Sequence, residues 1–343
     1  MRIVLLILAF CFAGCGNFSK KGPNLDVIRA EKPARNLSAY GLFEKNSGGM
    51  LPVKTVVPYI LVNPLFTDYA LKARFIFTPK GKAARYNPED VFTFPVGTVL
   101  IKNFGYAPDL RKPNEGQYLI ETRLLIHKAK GWVAIPYVWN AEQTEAVYAP
   151  VGKRVVVETI APDGIHYKFE YSVPNKNQCK TCHQSGHDLI PIGPKARNLN
   201  HNQQLEKWAE LGILTGLPEH IPTLPNMFDP SAPLGARARA YLDINCAHCH
   251  KAEGSASNSG LWLDWAEKNK TRLGFLKHPT AAGRGAGDLK LVIEPGSSEG
   301  SILSFRMTSN AAGIAMPELG RTLQHIEGVA LINEWIESLE PTP

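Results

Sequence analysis

The 343-residue chain has no run of like charges, and it has few cysteines. Lysine and arginine number 38 and aspartate and glutamate 31, which gives a formal net charge of +7. Because these charges are dispersed along the chain and do not form a basic arm, we expect no nucleic-acid partner. Hydrophobic residues make up 44% of the sequence, which is enough to bury a core and excludes a disordered chain. The length predicts two or three domains.

The N-terminal apolar stretch is too short to span a membrane. It covers residues 3–13, follows Arg2, and leads through small residues to Cys15. This pattern predicts a signal peptide over residues 1–15. The sequence FAGC ending at Cys15 resembles the bacterial lipobox, with Phe12 in place of the usual leucine, and predicts a lipoprotein lipidated at Cys15. Plain secretion is the alternative.

Residues directly after Cys15 bear on the location. Gly16 and Asn17 stand where an aspartate would have indicated retention in the inner membrane. The predicted location is therefore the outer membrane of a bacterial cell envelope, with the protein held by its lipid and facing the periplasm or the exterior. Residues 16–50 are rich in Lys, Gly, Pro, Asn and Ser and are predicted to form a tether and lead-in.

Four of the six cysteines form two copies of one motif, Cys-x-x-Cys-His, at residues 179–183 and 246–250. Two thiols separated by two residues lie on one side of a turn and can add to the two vinyl groups of one porphyrin. The histidine that follows can ligate the iron. With Cys11 in the signal peptide and Cys15 lipidated, no thiol remains for a disulfide or a nucleophile. The sequence thus predicts two covalently bound c-type haems, attached at Cys179, Cys182, Cys246 and Cys249, with His183 and His250 as iron ligands.

The chain changes from strand-like to helix-like patterns near the first motif. Residues 51–175 contain about eight short segments rich in Val, Ile, Tyr, Phe and Trp, separated by turn signals such as Asp163-Gly164. We predict an α+β multi-domain protein, in which an antiparallel β-sandwich-like domain, or a strongly curved sheet, precedes α-helical cytochrome c units. The predicted boundaries are 51–175 for the strand-rich domain, 176–230 for the first haem-binding segment and 231–343 for the cytochrome c domain.

The second haem unit has the layout of a small class I cytochrome c. A helix predicted over 235–245 leads into the motif, and a last helix over 326–339 carries an apolar stripe at helical spacing. Met316, in a loop before Pro317, is the expected sixth iron ligand, against the alternative of a core methionine. A thioether ligand favours Fe(II) and raises the reduction potential. His248, inside the motif, is expected to be exposed.

The first haem unit lacks the leading helix, since a strand precedes Cys179. Its sixth ligand has three alternatives: Met227, a histidine, or an open position. The competing histidines are His187, His201 and His220. Gly193-Pro194 resembles the dipeptide that follows many haem motifs, where a backbone carbonyl orients the proximal imidazole.

Three stretches carry a resemblance to a known family. They are NPLFTDYALKARF at 63–75, FPVGTVLIK at 94–102 and RARAYLDIN at 237–245. Together they resemble a family of uncharacterised bacterial dihaem c-type cytochromes over about residues 50–340, which implies organisation more than reaction. Residues 90–185 are also similar to cytochromes whose haem is cross-linked to a lysine and which oxidise hydroxylamine. That likeness implies Lys102 as one candidate for the cross-linked lysine. The alternative is that Lys102 is an exposed lysine at a strand end.

Three functions compete. The leading one is electron transfer between a protein donor and a protein acceptor through the two haems. The second is a dihaem oxidase or peroxidase, with catalysis at an open first haem. The third is a binding protein whose strand-rich domain holds a ligand through Trp132, Tyr137, Trp139 and Tyr148, against the alternative that these aromatic residues pack inside the sheet.

Overall fold

The computed structural model describes residues 22–44, 49, 51–280 and 282–341. The predicted signal peptide and the predicted lipidation site Cys15 lie outside these residues. The described chain has an α+β architecture, with a six-stranded antiparallel sheet and seven α-helices, most of them in the C-terminal half. None of the described helices is both long and apolar enough to cross a bilayer.

The large sheet has the strand order β1-β2-β4-β5-β6-β7, and every neighbouring pair is antiparallel. A hairpin, β8–β9, forms a separate two-stranded sheet, as the turn at Asp163-Gly164 predicted. The strands are β1 Val57–Pro58, β2 Leu71–Phe77, β3 Ala84–Arg85, β4 Val99–Tyr106, β5 Tyr118–Lys128, β6 Gly131–Trp139, β7 Ala146–Tyr148, β8 Lys153–Ile160, β9 His166–Val173, β10 Gln184–Ser185, β11 Asp188–Leu189 and β12 Leu214–Thr215.

The sheet is a middle layer and is covered on both faces. The N-terminal residues Ile28, Leu37 and Tyr40 pack on one face in a common core with β2, β4, β5 and β6. The other face meets helical residues such as Trp208 at one end and the β8–β9 hairpin at the other. A β-sandwich would need a second sheet on this face. In the described residues, the β8–β9 hairpin covers only one end of the face, and helical residues cover the rest.

The four aromatic residues considered as a binding surface are packed. Tyr137 is fully buried and donates a hydrogen bond of 2.7 Å to the Ala34 carbonyl. Trp139 donates to Thr122 at 3.0 Å, and Trp132 stacks on His127 with 4.8 Å between ring centroids. Tyr148 packs against the same core as Tyr137. This arrangement agrees with the packing alternative for Tyr137, Trp139 and Tyr148, whereas Trp132 also lines a cavity together with Lys180 and Ile190.

The helices follow the sheet along the chain, and two of them cross closely. A Cβ at Gly328 in α7 would meet the ring of Tyr241 in α5, so glycine permits this crossing. Val329, Ile332, Trp335 and Ile336 of α7 are buried, as the apolar stripe predicted. The helices are α1 Leu25–Arg29, α2 Lys176–His183, α3 Ala196–Leu199, α4 Gln204–Glu210, α5 Leu234–Asn245, α6 Ile302–Thr308 and α7 Ile326–Glu337.

Residues 63–68 connect the sheet to the helical part through buried polar contacts. Asn63 is fully buried and its side-chain oxygen accepts a hydrogen bond from the Met227 amide at 2.8 Å. The Phe66 amide donates to Asn245 at 2.9 Å. Asp68 accepts two backbone hydrogen bonds of 2.7 Å, from Thr322 and Leu323. Since buried polar groups require partners, these contacts fix the sheet against the C-terminal helices.

Candidate functional site

The first motif lies on α2, which begins with a capping box formed by Asn175 and Gln178. This helix supplies both thiols and the histidine within two turns. His183 Nδ1 lies 2.7 Å from the Ile190 carbonyl oxygen, so this nitrogen donates a proton and Nε2 keeps its lone pair. Burial lowers the pKa of His183 to about 4, which keeps the imidazole neutral and able to ligate a metal. The orienting carbonyl is that of Ile190, three residues before the expected Gly193-Pro194.

The second motif continues α5 by one turn. The backbone amide of His250 donates a hydrogen bond of 2.9 Å to the Cys246 carbonyl oxygen. The His250 Nδ1 atom lies 3.2 Å from the Ser259 hydroxyl oxygen. Because that hydroxyl donates its own proton to the Ala256 carbonyl at 2.7 Å, it must accept from His250 Nδ1. Nε2 of His250 is therefore also left with a free lone pair. Burial lowers its pKa to about 4.

A cavity with an empty volume of about 1570 Å³ adjoins the second motif, and we call it the second cavity. Its walls include Cys246, Cys249, His250 and Met316. The Met316 amide donates to the Arg306 carbonyl at 2.9 Å, which ties the methionine loop to α6. The predicted sixth ligand therefore shares a cavity with the predicted proximal histidine.

A smaller cavity, with an empty volume of about 750 Å³ that, like the 1570 Å³ of the second cavity, includes space open to solvent, adjoins the first motif, and we call it the first cavity. It lies between the sheet, α2 and the C-terminal helices. The sheet contributes Lys102 and Arg123, and α2 contributes Cys182 and His183. Lys102 lies inside β4 and not at a strand end, so the expectation of an exposed lysine was wrong.

The two motifs meet. Cys182 and Cys249 both line the second cavity, and their mutual influence raises the pKa of the Cys182 thiol and lowers that of the Cys249 thiol. Cys182 and His248 line both cavities, and so do Tyr241, Asn245 and Met316. Two sites that lie 67 residues apart in the chain (246 − 179) thus share a wall. Within the described residues, no group of three or more Cys, His, Asp or Glu side chains could hold a metal ion.

The predicted sixth ligands of the first haem are not brought to His183. Met227 is 2% exposed and packs in the apolar core around α5 and α7, and it is not among the residues that line the first cavity. His187, His201 and His220 are exposed, and none of them lines this cavity either.

Two histidines that sequence reasoning missed do line the first cavity. His325 stacks on Phe66 with 4.0 Å between ring centroids, and its Nδ1 lies 3.1 Å from the Tyr241 hydroxyl. His248 is partly buried, and its Nδ1 has no hydrogen-bond partner although it is shielded from solvent. The expected exposure of His248 was therefore wrong, because α2 packs beside the second motif. The one feature of the sequence that could have pointed to His325 as a site residue is its position directly before the predicted last helix.

The residues present fit two c-type haems. Each motif offers two thiols on one turn and an imidazole whose Nδ1 is engaged and whose Nε2 is free, and each borders a cavity lined largely by apolar surface. Comparisons of the chain with protein-family models, with curated proteins and with solved structures found no match in any of the three.

Proposed function

We propose that this protein is a dihaem c-type cytochrome of the bacterial cell envelope that transfers electrons between a protein donor and a protein acceptor. It would belong to the uncharacterised dihaem family that residues 63–75, 94–102 and 237–245 resemble. In this proposal Cys15 carries a lipid that holds the protein at the outer membrane, facing the periplasm or the exterior. Residues 231–343 form a class I cytochrome c unit, and the strand-rich domain forms one wall of the first haem site.

The shared cavity wall at Cys182 and Cys249 carries the proposal. These two residues are the last thiols of their motifs, so the groups attached to them would be neighbours. Each haem, when bound, supplies a one-electron Fe(III)/Fe(II) couple. Neighbouring attachment sites would bring the two haems close together, which favours the passage of an electron from one to the other.

The chain's own residues set the properties of each site. His183 and His250 present Nε2 because Ile190 and Ser259 hold Nδ1. Met316 would complete the second site and favour its reduced state. The Arg306 carbonyl and the hydrogen bond of 2.9 Å from the Arg306 Nε to the Ile314 carbonyl hold the loop that carries Met316.

Haem content and redox titration test this function. The wild type should contain two haems per chain, and Cys179→Ala/Cys182→Ala and Cys246→Ala/Cys249→Ala should each retain one. The wild type should show two one-electron steps, of which each variant keeps a different one. A chain that matures with no haem, or whose haem content is the same in all three proteins, would overturn the proposal. Cys15→Ser tests the anchor, since it should move the protein from the membrane fraction to the soluble fraction.

A dihaem oxidase or peroxidase is the second candidate, and one observation favours it. The first cavity is lined by Lys102, Arg123, His248 and His325, which are groups able to exchange protons or bind a charged reactant, while Met227 lies elsewhere. Carbon monoxide separates the two functions. If it binds the reduced protein and a high-spin signal appears, the first site has an open position and the enzyme is favoured. If neither occurs, the carrier is favoured.

A further inference from the structure

Three positively charged side chains stand side by side on the sheet. Arg74 of β2 is paired with Lys102 of β4, which is paired in turn with Arg123 of β5. Directly opposite residues of antiparallel strands point to the same face, so the three form a row across the sheet, which we call the cationic row. Lys102 and Arg123 of this row line the first cavity. Like charges placed opposite each other destabilise a sheet, so the row requires a compensating reason.

Only one member of the cationic row is neutralised by the protein. Arg123 forms a two-pronged ion pair with Glu121, with its Nε 2.8 Å from Oε2, and Tyr171 donates to the same carboxylate at 2.6 Å. The Lys102 ammonium lies 4.6 Å from the centroid of the Phe104 ring and is influenced by the Glu121 carboxylate, but it forms no ion pair or hydrogen bond within the described residues. Arg74 is 8% exposed, and its Nη2 has no hydrogen-bond partner.

Arg74 is buried and Lys102 is partly buried, each without an ion-pair partner among the described residues, and burying a charge in this way costs folding free energy. Burial, and then the neighbouring Arg74, Lys72 and Arg123 charges, lower the pKa of Lys102 well below its usual value. Burial likewise lowers the pKa of Lys72 to about 7, although Asp68 opposes the shift. Proteins keep buried charges when a partner of opposite sign is present. Lys102 lines the first cavity, so a partner of opposite sign can reach its ammonium from there.

We propose that Lys102 and Arg123, which line the first cavity, form with Arg74 beside them in the cationic row a binding site for a carboxylate or small oxyanion inside this cavity. This inference rests on the proposed function only in so far as the first cavity holds a haem. Two sources share the chemistry: a carboxylate of the porphyrin itself, or a small free oxyanion held beside it. A planar guanidinium and an ammonium on neighbouring strands can bind two oxygens of one such group.

The test uses the complete holoprotein and three variants. Lys102→Gln removes one charge of the row, Lys102→Arg keeps it, and Lys153→Gln removes a charge from an exposed position of β8 as the matched control. Haem content is measured on every sample first, so a failure of haem attachment is recognised separately. Inorganic phosphate binding is then followed by calorimetry, and the reduction potential of the first haem is followed against pH.

Each source gives a distinct result. A free oxyanion site gives saturable phosphate binding that weakens at least tenfold in Lys102→Gln and is preserved in Lys102→Arg and Lys153→Gln. A porphyrin carboxylate gives no phosphate binding, but the acid dissociation constant of a carboxyl coupled to the first haem falls at least tenfold in Lys102→Gln alone. If Lys102→Gln changes neither quantity, or if Lys153→Gln changes them equally, the proposal is overturned.

Discussion

Replacing Asp243 by asparagine should destabilise the protein strongly, because it breaks a buried ion pair between α3 and α5. Asp243 lies on α5 and is 2% exposed, and Arg197 lies on α3 and is 4% exposed. Their closest atoms, Arg197 Nη2 and Asp243 Oδ1, are 3.0 Å apart. The same carboxylate accepts the Trp265 amide at 2.9 Å, and the Lys195 ammonium lies 3.7 Å from it.

The expected loss follows from what remains after the change. In Asp243→Asn the amide oxygen can still accept from Trp265, but the Arg197 guanidinium stays buried without its counter-charge. Removing one partner of a buried pair costs about 3–5 kcal/mol of unfolding free energy. Arg197→Met/Asp243→Asn, which removes both charges, should recover part of that loss, so the two changes should be non-additive.

Urea denaturation of the holoprotein, followed by far-UV circular dichroism, measures the unfolding free energy. Asp188→Asn is the matched control, since Asp188 is exposed and should change stability by less than about 0.5 kcal/mol. A loss below about 1 kcal/mol in Asp243→Asn, or a double variant less stable than both single variants, would refute the reasoning.

The same pair predicts a pH dependence. Burial alone would raise the pKa of Asp243, but the Lys195 and Arg197 charges lower it below the usual 3.8. A depressed folded-state pKa gives stability that is present above the unfolded-state value and is lost as the pH falls through the folded-state value. The difference between wild type and Asp243→Asn should therefore be constant near neutral pH and shrink below about pH 3.8.

Three further changes test other parts of the molecule. Met316→His should lower the potential of the proposed second haem, because imidazole replaces the thioether that favours Fe(II), while Met307→Leu should not; spectroelectrochemistry measures both. Gly328→Ala should cost about 1–3 kcal/mol and lower the melting temperature, because its Cβ would meet the Tyr241 ring. Gly235→Ala is the control, since its nearest contact is 3.7 Å away, and a normal melting temperature in Gly328→Ala would contradict the crossing. Burial raises the pKa of Asp68 to about 6, so the stability of the wild type relative to Asp68→Asn should rise by up to about 3 kcal/mol as the pH falls from 7 toward 4. Asp68→Asn should keep both backbone hydrogen bonds and be no less stable than the wild type at pH 7. Its stability should lack this pH dependence, which thermal melts of both proteins at pH 5 and pH 7.5 measure.

The sequence predicted the local parts of the site. His183 and His250 follow their thiols within one turn, so spacing alone places them beside the cysteines. Helices α5 and α7 were expected from apolar periodicity, and the structure confirms them with ends that differ by one or two residues. Predictions of this kind succeed because the interactions involved join residues close together in the chain.

Contacts between distant segments could not be predicted in this way. Met227 was proposed as a ligand from its distance along the chain after His183, but Asn63 holds its amide and places its side chain in the core around α5. The cationic row depends on the register of three strands, which is fixed by loops and packing and not by the strands' own composition. The alternation in β2 shows only that Lys72 and Arg74 share a face.

Three independent connections hold the two motifs at a fixed separation, and this bears on why a strand-rich domain is present. Residues 63–68 bind α5 and the loop before α7, Arg197 binds Asp243, and Cys182 and Cys249 line the same cavity. In a single cytochrome c unit, helices surround the haem site. No helix leads into α2, and residues of β4 and β5 line the first cavity instead. That face brings Lys102 and Arg123 to the first cavity, and neither of them lines the second cavity. If each cavity holds a haem as proposed, the charges of the sheet would therefore act mainly on the first one.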